Sequence, residues 1–219
     1  MRITVTDYLD VVSSWCFWSE PTWAELKKRY QGRVEFQWKI ALMDKAGLPV
    51  SREQEAWFYR RSGMLMRSPF MLRTEWYDAS LPEWLTPNSV AEAAKDFGIT
   101  DDRVRLALAH AALREGKKVS DWDVSAEIGA EAGGVDKKKL LESAKSSAIE
   151  KRIRAHTAEF RAMQISQRPA FVIDTEIGDR AIFSGVVKLD PLVSTIESML
   201  DDGVAYAAHK AHFGDPPAK

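Results

Sequence analysis

The sequence has little of three things, and each shortage excludes a class of protein. Cys16 is the only cysteine among 219 residues, so no disulfide can form within the chain. No apolar run reaches the roughly 18 residues that a membrane-spanning helix needs. Lys and Arg (31) nearly balance Asp and Glu (32), which leaves a net charge of −1 and no overall field that would attract nucleic acid or an anionic membrane. We therefore expect no nucleic-acid partner and no membrane partner.

The amino terminus also lacks the apolar segment and cleavage-like site of a secretory signal. A single cysteine fits a reducing compartment, and the two observations together predict a cytoplasmic protein. Of the four histidines, His209 and His212 are three residues apart, but no cysteine or carboxylate cluster accompanies them. No metal site is predicted.

What the sequence does contain is a regular succession of strand and helix patterns. Residues 3–8 predict a strand, and a helix is expected to follow from about residue 14 to 30. Pro21 is expected either to kink this helix or to mark a fresh start with Ser19 as its N-cap. Residues 34–40 alternate apolar and polar side chains, which predicts a second strand.

The middle of the chain, from residue 51 to about 163, has helical patterns only. A capping box is expected at Ser89 and Glu92, and one long polar helix is expected over residues 136–163. Two strand patterns and a last amphipathic helix follow, at residues 169–173, 180–183 and 189–200. The predicted order is β-α-β, then about 110 helical residues, then β-β-α.

Several segments resemble the DsbA-like branch of the thioredoxin superfamily. Residues 10–17, DVVSSWCF, resemble the family's Asp-Phe-x-Cys-Pro-Trp-Cys-Tyr stretch, and residues 111–121, AALREGKKVSD, resemble a segment of its inserted domain. RPAFVI at residues 168–173 is similar to the strand that begins with a cis-proline. Pro21 lies five residues after Cys16, which is the spacing of the helix proline in thioredoxins.

The resemblance implies an α/β thioredoxin fold whose β-α-β and β-β-α halves are separated by an inserted all-helical domain. The thioredoxin-like domain is expected at residues 1–50 and 161–219, and the insertion at residues 51–160. The branch includes disulfide oxidoreductases of the FrnE type, 2-hydroxychromene-2-carboxylate isomerases and kappa-class glutathione transferases. The last two carry a serine at the first motif position, where it is thought to hydrogen-bond the thiolate of bound glutathione.

The motif after the first strand is Ser13-Ser14-Trp15-Cys16, a Cys-x-x-Cys frame that begins with serine. A hydrogen bond to a charged sulfur contributes roughly 1.5–3 kcal/mol, and one pKa unit corresponds to about 1.4 kcal/mol. Ser13 could therefore lower the pKa of a bound thiol by about one to two units. The alternative is that Ser13 or Ser14 only caps the helix. Cys16 is expected either as a small apolar helix residue or as an exposed monothiol that forms a mixed disulfide.

The resemblance further implies that Ser14, Trp15, Arg168 and Pro169 bind the thiol or the substrate, with a cis peptide bond before Pro169. The Arg168 guanidinium could hold a carboxylate or stabilise a thiolate. Two departures weaken the expectation of glutathione, and the first is Ser14, which replaces the usual proline of the motif and loosens the turn. Relatives that use glutathione have Ser-Asp after the glycine that ends the fourth strand, where it holds the γ-glutamyl group, but residues 186–187 here are Val-Val.

The segment of residues 57–84 is rich in aromatic side chains and methionines, with arginines between them. It is interpreted either as the core of the inserted domain or as a pocket for an aromatic or acidic small molecule. The main hypothesis is an enzyme of the DsbA family that uses an external thiol, glutathione, activated at Ser13, on a small-molecule substrate. A monothiol oxidoreductase acting through Cys16 and a redox-inactive binding module are the alternatives. Because many relatives form homodimers, a homodimer is also expected for this chain.

Overall fold

A single four-stranded sheet forms the centre of the thioredoxin-like half. The computed structural model describes residues 1–43, 49–215 and 217. Its strands are Ile3–Leu9 (β1), Glu35–Ile40 (β2), Ala170–Thr175 (β3) and Arg180–Ser184 (β4), in the spatial order β2-β1-β3-β4. β1 pairs in parallel with β2, while β3 is antiparallel to both β1 and β4.

The described residues also form eight α-helices. They are Ser14–Arg29 (α1), Arg52–Leu65 (α2), Leu85–Ala94 (α3), Arg103–Leu113 (α4), Trp122–Gly133 (α5), Lys137–Ala144 (α6), Ser147–Ala162 (α7) and Leu189–Phe213 (α8). α1 joins the parallel strands, α8 follows β4, and the six helices from α2 to α7 lie between β2 and β3 in the chain. The predicted order of β-α-β, helical insertion and β-β-α is confirmed.

Of the three apolar clusters among the described residues, two hold these layers together. The smaller of these two buries Ile3 and Val5 of the sheet against Leu26 of α1 and Ile196 of α8. The larger cluster joins the start of α1 to the inserted helices, and its members include Val12, Cys16, Tyr59, Trp76 and Leu108. Burial of one such large side chain contributes about 1.5–3 kcal/mol. The amino-terminal end of α1 is therefore packed against the insertion.

A partly buried group of charges, which we call the ion cluster, connects α1 to the insertion. It consists of Glu20 and Lys27 on α1 and Asp102 and Arg105 around the start of α4. Arg105 is 3% exposed and its Nη2 lies 2.7 Å from Asp102 Oδ1. Arg105 also pairs with Glu20, and Lys27 pairs with Asp102. The Trp23 indole N–H donates to both Asp102 carboxylate oxygens at 3.2 Å. Two positive and two negative charges thus balance one another.

The amino-terminal helix is continuous, so the expected fresh start at Ser19 is wrong. Pro21 lies inside the helix, and the helix is capped instead by Ser13. The Ser19 hydroxyl donates to the Cys16 carbonyl at 2.7 Å. Its side chain is therefore occupied within the helix and does not cap a new one.

The capping box expected at Ser89 is also wrong. α3 begins at Leu85, four residues earlier, and Ser89 is fully buried inside it. In this first turn the buried Asn88 side chain donates to the Trp84 carbonyl at 2.9 Å. Tertiary packing of the first turn has overridden the local capping pattern.

The single helix expected over residues 136–163 is two helices. α6 ends at Ala144, and Ser146 caps α7 by accepting a hydrogen bond from the Ile149 N–H at 3.3 Å. Serine competes with the helical backbone for hydrogen bonds, which favours such a restart. The last helix, by contrast, is longer than expected. It continues past Leu200 and through Gly203 to Phe213, and it ends at Gly214, which has a positive φ of 76°.

Candidate active site

Ser13 stands at the start of α1 and caps it. Its backbone is extended, and its Oγ accepts a hydrogen bond from the Cys16 N–H at 3.4 Å. The capping interpretation is therefore confirmed. A hydroxyl that accepts one hydrogen bond still carries a hydrogen that it can donate. Capping and donation to a bound thiolate are compatible at Ser13.

The loop that carries Ser13 is held by buried polar contacts with the insertion. The Asp10 carboxylate accepts from the Val12 and Met43 N–H groups at 3.1 and 3.0 Å. Asn88 of α3 donates to Asp10 Oδ1 at 3.1 Å, and its own Oδ1 accepts from the Val11 N–H at 3.0 Å. Burial raises the pKa of Asp10, and these donors oppose that shift. The sequence reading missed Asn88, whose contact with Asp10 spans 78 positions.

Cys16 lies one turn into α1 and is only 3% exposed. Burial raises the pKa of its thiol far above the usual range, and the nearby Asp7 raises it further, against a smaller opposing effect of the Ser13 hydrogen bond. A thiol in this state is protonated at neutral pH and is a poor nucleophile. The exposure that the monothiol alternative requires is not met.

Asp7 is a second buried acid near Cys16. It lies on β1, is 1% exposed, and neither of its carboxylate oxygens has a hydrogen-bond partner among the described residues. Burial raises its pKa from 3.8 to about 8, although Arg105 acts in the opposite direction. Burial thus favours the protonated, neutral forms of both Asp7 and Cys16.

A cleft of about 300 Å³ opens at the start of α1. Residues 12–15 line one side, residues 166–168 before β3 line another, and four side chains of α2 line a third. Those four are Glu55, Phe58, Tyr59 and Arg61. Ser13, Ser14, Trp15 and Arg168 are thus brought together as the resemblance implies. Neither Cys16 nor Pro169 is among the described residues of the lining.

Arg168 stands beside the cleft, and the peptide bond between it and Pro169 is cis. Its guanidinium donates to the backbone carbonyls of Ala41 through Nε, Leu42 at 2.5 Å and Ser166 at 3.2 Å. It also lies 4.5 Å from the centroid of the Phe160 ring. These contacts make the side chain an anchor between the end of β2 and the loop before β3.

The aromatic segment of residues 57–84 divides between core and cleft. Four of its aromatic side chains are buried, namely Tyr59, Trp76, Tyr77 and Trp84. Phe58 and Arg61 line the cleft, and the Arg61 guanidinium lies 5.3 Å from the Phe58 ring centroid. The core interpretation therefore holds for these four side chains, and a ligand pocket at Phe58 and Arg61 stays a prediction.

Glu55, on the α2 side of the cleft, is a residue that the sequence reading missed. The side chain is 6% exposed, and burial raises the pKa of its carboxyl from 4.5 to about 7. A hydrogen bond with Tyr59 acts in the opposite direction. The Tyr59 hydroxyl in turn lies 3.5 Å from the Val12 carbonyl, at the start of the motif loop. The only signal in the sequence was a Glu and a Tyr four positions apart on a helix.

The Val-Val pair that replaces Ser-Asp has a structural contact of its own. The Val187 carbonyl accepts a hydrogen bond from the Thr22 hydroxyl of α1 at 2.7 Å. Neither valine belongs to the described lining of the cleft.

Within residues 1–43, 49–215 and 217, no group of three or more metal-binding side chains is present. None of the helices that the structure describes is both long and apolar enough to cross a bilayer.

The family model of a DsbA-like thioredoxin domain matches residues 4–197. The chain belongs to the DsbA-like thioredoxin family. The α/β thioredoxin fold with its helical insertion is confirmed, and the family contains oxidoreductases and isomerases. The division of this DsbA-like chain at residues 50 and 160 stays a prediction, and α7 runs two residues past the second boundary.

Solved structures of similar fold include a disulfide reductase and an isomerase. The cytosolic disulfide reductase DsbM from Pseudomonas aeruginosa is 16% identical, with a TM-score of 0.72 over 90% of this chain and 98% of DsbM. DsbM with GSH gives 0.70 at 16% identity, over 90% of this chain and 99% of that one. A 2-hydroxychromene-2-carboxylate isomerase gives 0.56 at 14% identity, over 97% and 100%. No curated protein matches this DsbA-like chain in sequence. Similarities at these identities show the fold.

Proposed function

We propose that this DsbA-like chain binds an external thiol, glutathione, in the cleft and that Ser13 holds it as a thiolate for reaction with a small molecule. One observation carries the proposal: Ser13 lines the cleft, whereas the chain's only cysteine lies outside its described lining and is buried. Thiol chemistry at this site therefore needs a borrowed sulfur.

The start of α1 offers the electrostatics that such a sulfur needs. The first N–H groups of a helix have no acceptor within the helix, and the helix end carries a partial positive charge. The Ser13 hydroxyl adds a hydrogen-bond donor, which contributes roughly 1.5–3 kcal/mol to a charged sulfur. DsbM, of similar fold, has been solved with GSH. A cytoplasmic location, also proposed, fits an enzyme that depends on a free thiol.

The side of the cleft formed by α2 is the proposed place for the second substrate. Phe58 offers a ring and Arg61 a guanidinium, and both line the cleft. A guanidinium can hold a carboxylate with two parallel hydrogen bonds. An aromatic or acidic small molecule therefore fits this side best. Ser14 and Trp15 line the opposite side beside Ser13, where the proposal has them contact the thiol.

Glutathione titration of the wild-type chain and of Ser13→Ala tests the proposal. Calorimetry with millimolar reduced glutathione measures binding, and ultraviolet difference absorbance measures the thiolate. Wild type should bind and show thiolate absorbance near pH 7, and Ser13→Ala should lose that absorbance. If wild type does not bind, or if the absorbance survives in Ser13→Ala, the proposal is wrong.

Ser146→Ala is the matched control, because Ser146 also caps a helix with its hydroxyl but lies outside the cleft lining. Both variants lose a cap, at a cost of about 1 kcal/mol. Only Ser13→Ala should change the thiolate absorbance. A similar loss in both variants would assign the effect to helix stability.

A redox-inactive binding module is the second candidate, and the contact of Val187 with Thr22 favours it. This carbonyl already accepts one hydrogen bond, and a valine side chain cannot hold the ammonium of a γ-glutamyl group. A binding module would take glutathione or another ligand without ionising its thiol. The same absorbance measurement separates the two candidates.

A further inference from the structure

Glu55 places an acid on the wall of the cleft that faces the start of α1. It belongs to α2 of the insertion, whereas Ser13 belongs to the loop after β1, and both line the same cleft. The contact between Tyr59 and the Val12 carbonyl holds these two walls together. A small molecule in the cleft can therefore contact both Ser13 and this carboxyl.

The surroundings of Glu55 favour a neutral carboxyl that can give up a proton. The side chain is buried, and its hydrogen-bond partner among the described residues is the Tyr59 hydroxyl. Tyr77 is the other titratable group that senses its charge, and the Arg61 guanidinium lies at the cleft with its charge over the Trp57 and Phe58 rings. Burial brings the pKa of Glu55 to about 7, which is the range in which a group can both donate and accept protons.

We propose that Glu55 is the proton-transfer residue of this site, which donates a proton when the bound thiol adds to an activated carbon–carbon double bond. The inference rests on the proposed function, because it needs a thiolate at Ser13. It also names the class of substrate: an unsaturated carbonyl compound whose carbon must be protonated after the sulfur has added.

The step balances as follows. The thiolate sulfur forms a bond to the β-carbon, and the π electrons of the carbon–carbon bond move toward the carbonyl oxygen. The O–H bond of Glu55 breaks, and its proton goes to the α-carbon, which leaves Glu55 as a carboxylate. The thiol proton of the next bound glutathione, passed through water, restores the acid. No oxidant or reductant is needed.

The helix also offers a control carboxyl at Glu53. It lies two residues earlier on α2, is exposed, and does not line the cleft. Hydrogen bonds at the helix start, including that of Ser51, lower its pKa. Glu53 is therefore ionised at neutral pH and serves as a matched site for the same substitution.

Two electrophiles separate proton transfer from thiolate formation. Benzylideneacetone, an enone, must be protonated after the sulfur adds, whereas chlorodinitrobenzene loses chloride and needs no proton. With glutathione as the thiol, Glu55→Gln should lower kcat/KM for the enone about a hundredfold. Its rate with chlorodinitrobenzene should stay within about twofold of wild type, since the thiolate itself is unchanged. Glu53→Gln should leave both rates unchanged.

The outcomes distinguish the two proposals. Wild-type chain that binds no glutathione overturns the proposed function and, with it, the role of Glu55. Wild-type chain that forms the thiolate but does not accelerate the enone reaction overturns the role of Glu55 alone. So does an unchanged ratio of the two rates in Glu55→Gln. The retained chlorodinitrobenzene rate and the glutathione affinity of Glu55→Gln show that the variant is folded.

Discussion

The cleft and the ion cluster both border α1, yet they treat buried carboxyl groups in opposite ways. In the ion cluster, Asp102 contacts two cations and an indole N–H, so its charge is fully compensated. In the cleft, Glu55 has a tyrosine hydroxyl as its hydrogen-bond partner, and burial raises its pKa. A compensated carboxylate holds two elements together, whereas a buried acid whose pKa lies near 7 can exchange its proton.

The comparison has a basis in the cost of removing charges from water. An isolated buried charge costs several kcal/mol, so a protein either pairs it or keeps it neutral. The ion cluster follows the first course, and Glu55 and Asp7 follow the second. Function is therefore expected where the second course leaves a neutral acid next to a cleft. Only Glu55 of these two acids is part of the described cleft lining.

The largest expected effect comes from breaking the ion cluster. Arg105→Met leaves the buried Asp102 and the partly buried Glu20 with one cation fewer, and we expect a loss of about 3–5 kcal/mol in the free energy of unfolding. Urea denaturation measures it. Arg103→Met is the control, since Arg103 pairs with Asp101 on the surface and its loss should change little. Folded Arg105→Met should still bind glutathione; a loss of binding would show that cluster and cleft are not separate.

Substitution of Asn88 tests the hydrogen bonds that hold the loop carrying Ser13 against α3. Asn88→Ala removes one donor to Asp10 and the acceptor of the Val11 N–H, both of them buried. Each buried group left without a partner costs about 1–3 kcal/mol. We also expect weaker glutathione binding, because the loop that carries Ser13 loses its hold on α3. Calorimetry on the folded variant measures that affinity, and an unchanged affinity would contradict the positioning role.

The pH dependence of stability tests whether the buried Asp7 carboxyl is kept neutral. The pKa of the Asp7 carboxyl is 3.8 in the unfolded chain and about 8 in the folded chain. The stabilisation that comes from the protonated side chain is therefore complete below pH 3.8. As the pH rises toward 8, the unfolded chain has already lost the proton that the folded chain still holds, and stability falls by up to about 1.4 kcal/mol per pH unit. Asp7→Asn should make the fall in stability between pH 5 and pH 8 smaller, while the part that comes from Glu55 remains. Urea midpoints at pH 5 and pH 8 measure it, and equal slopes in both proteins would contradict the raised pKa.

Most of the fold follows from local patterns, whereas half of the site does not. The alternation of β2 and the motif after β1 are visible within a few residues, and the family resemblance supplies the rest of the order. Asn88 and Glu55 meet the motif loop only after the insertion folds back on it, across 77 positions for the Val11–Asn88 contact. No local pattern marks them. The break between α6 and α7 differs from the prediction for the opposite reason: Ser146 is a purely local signal, and the apolar stripe over residues 140–153 continues across it.

The smallest expected effect is that of Cys16→Ala, and it separates the serine from the cysteine within one motif. Cys16 is buried in the larger apolar cluster, so loss of its sulfur should cost about 1 kcal/mol of stability through a small cavity. Glutathione binding and its thiolate absorbance should be unchanged, because the cleft reaches Ser13 and not Cys16. In the wild-type chain, a thiol reagent should label Cys16 only as fast as the protein opens. Two results would show instead that Cys16 is the reactive thiol. One is rapid labelling of the folded chain, and the other is a mixed disulfide with glutathione, formed from glutathione disulfide and detected by mass spectrometry.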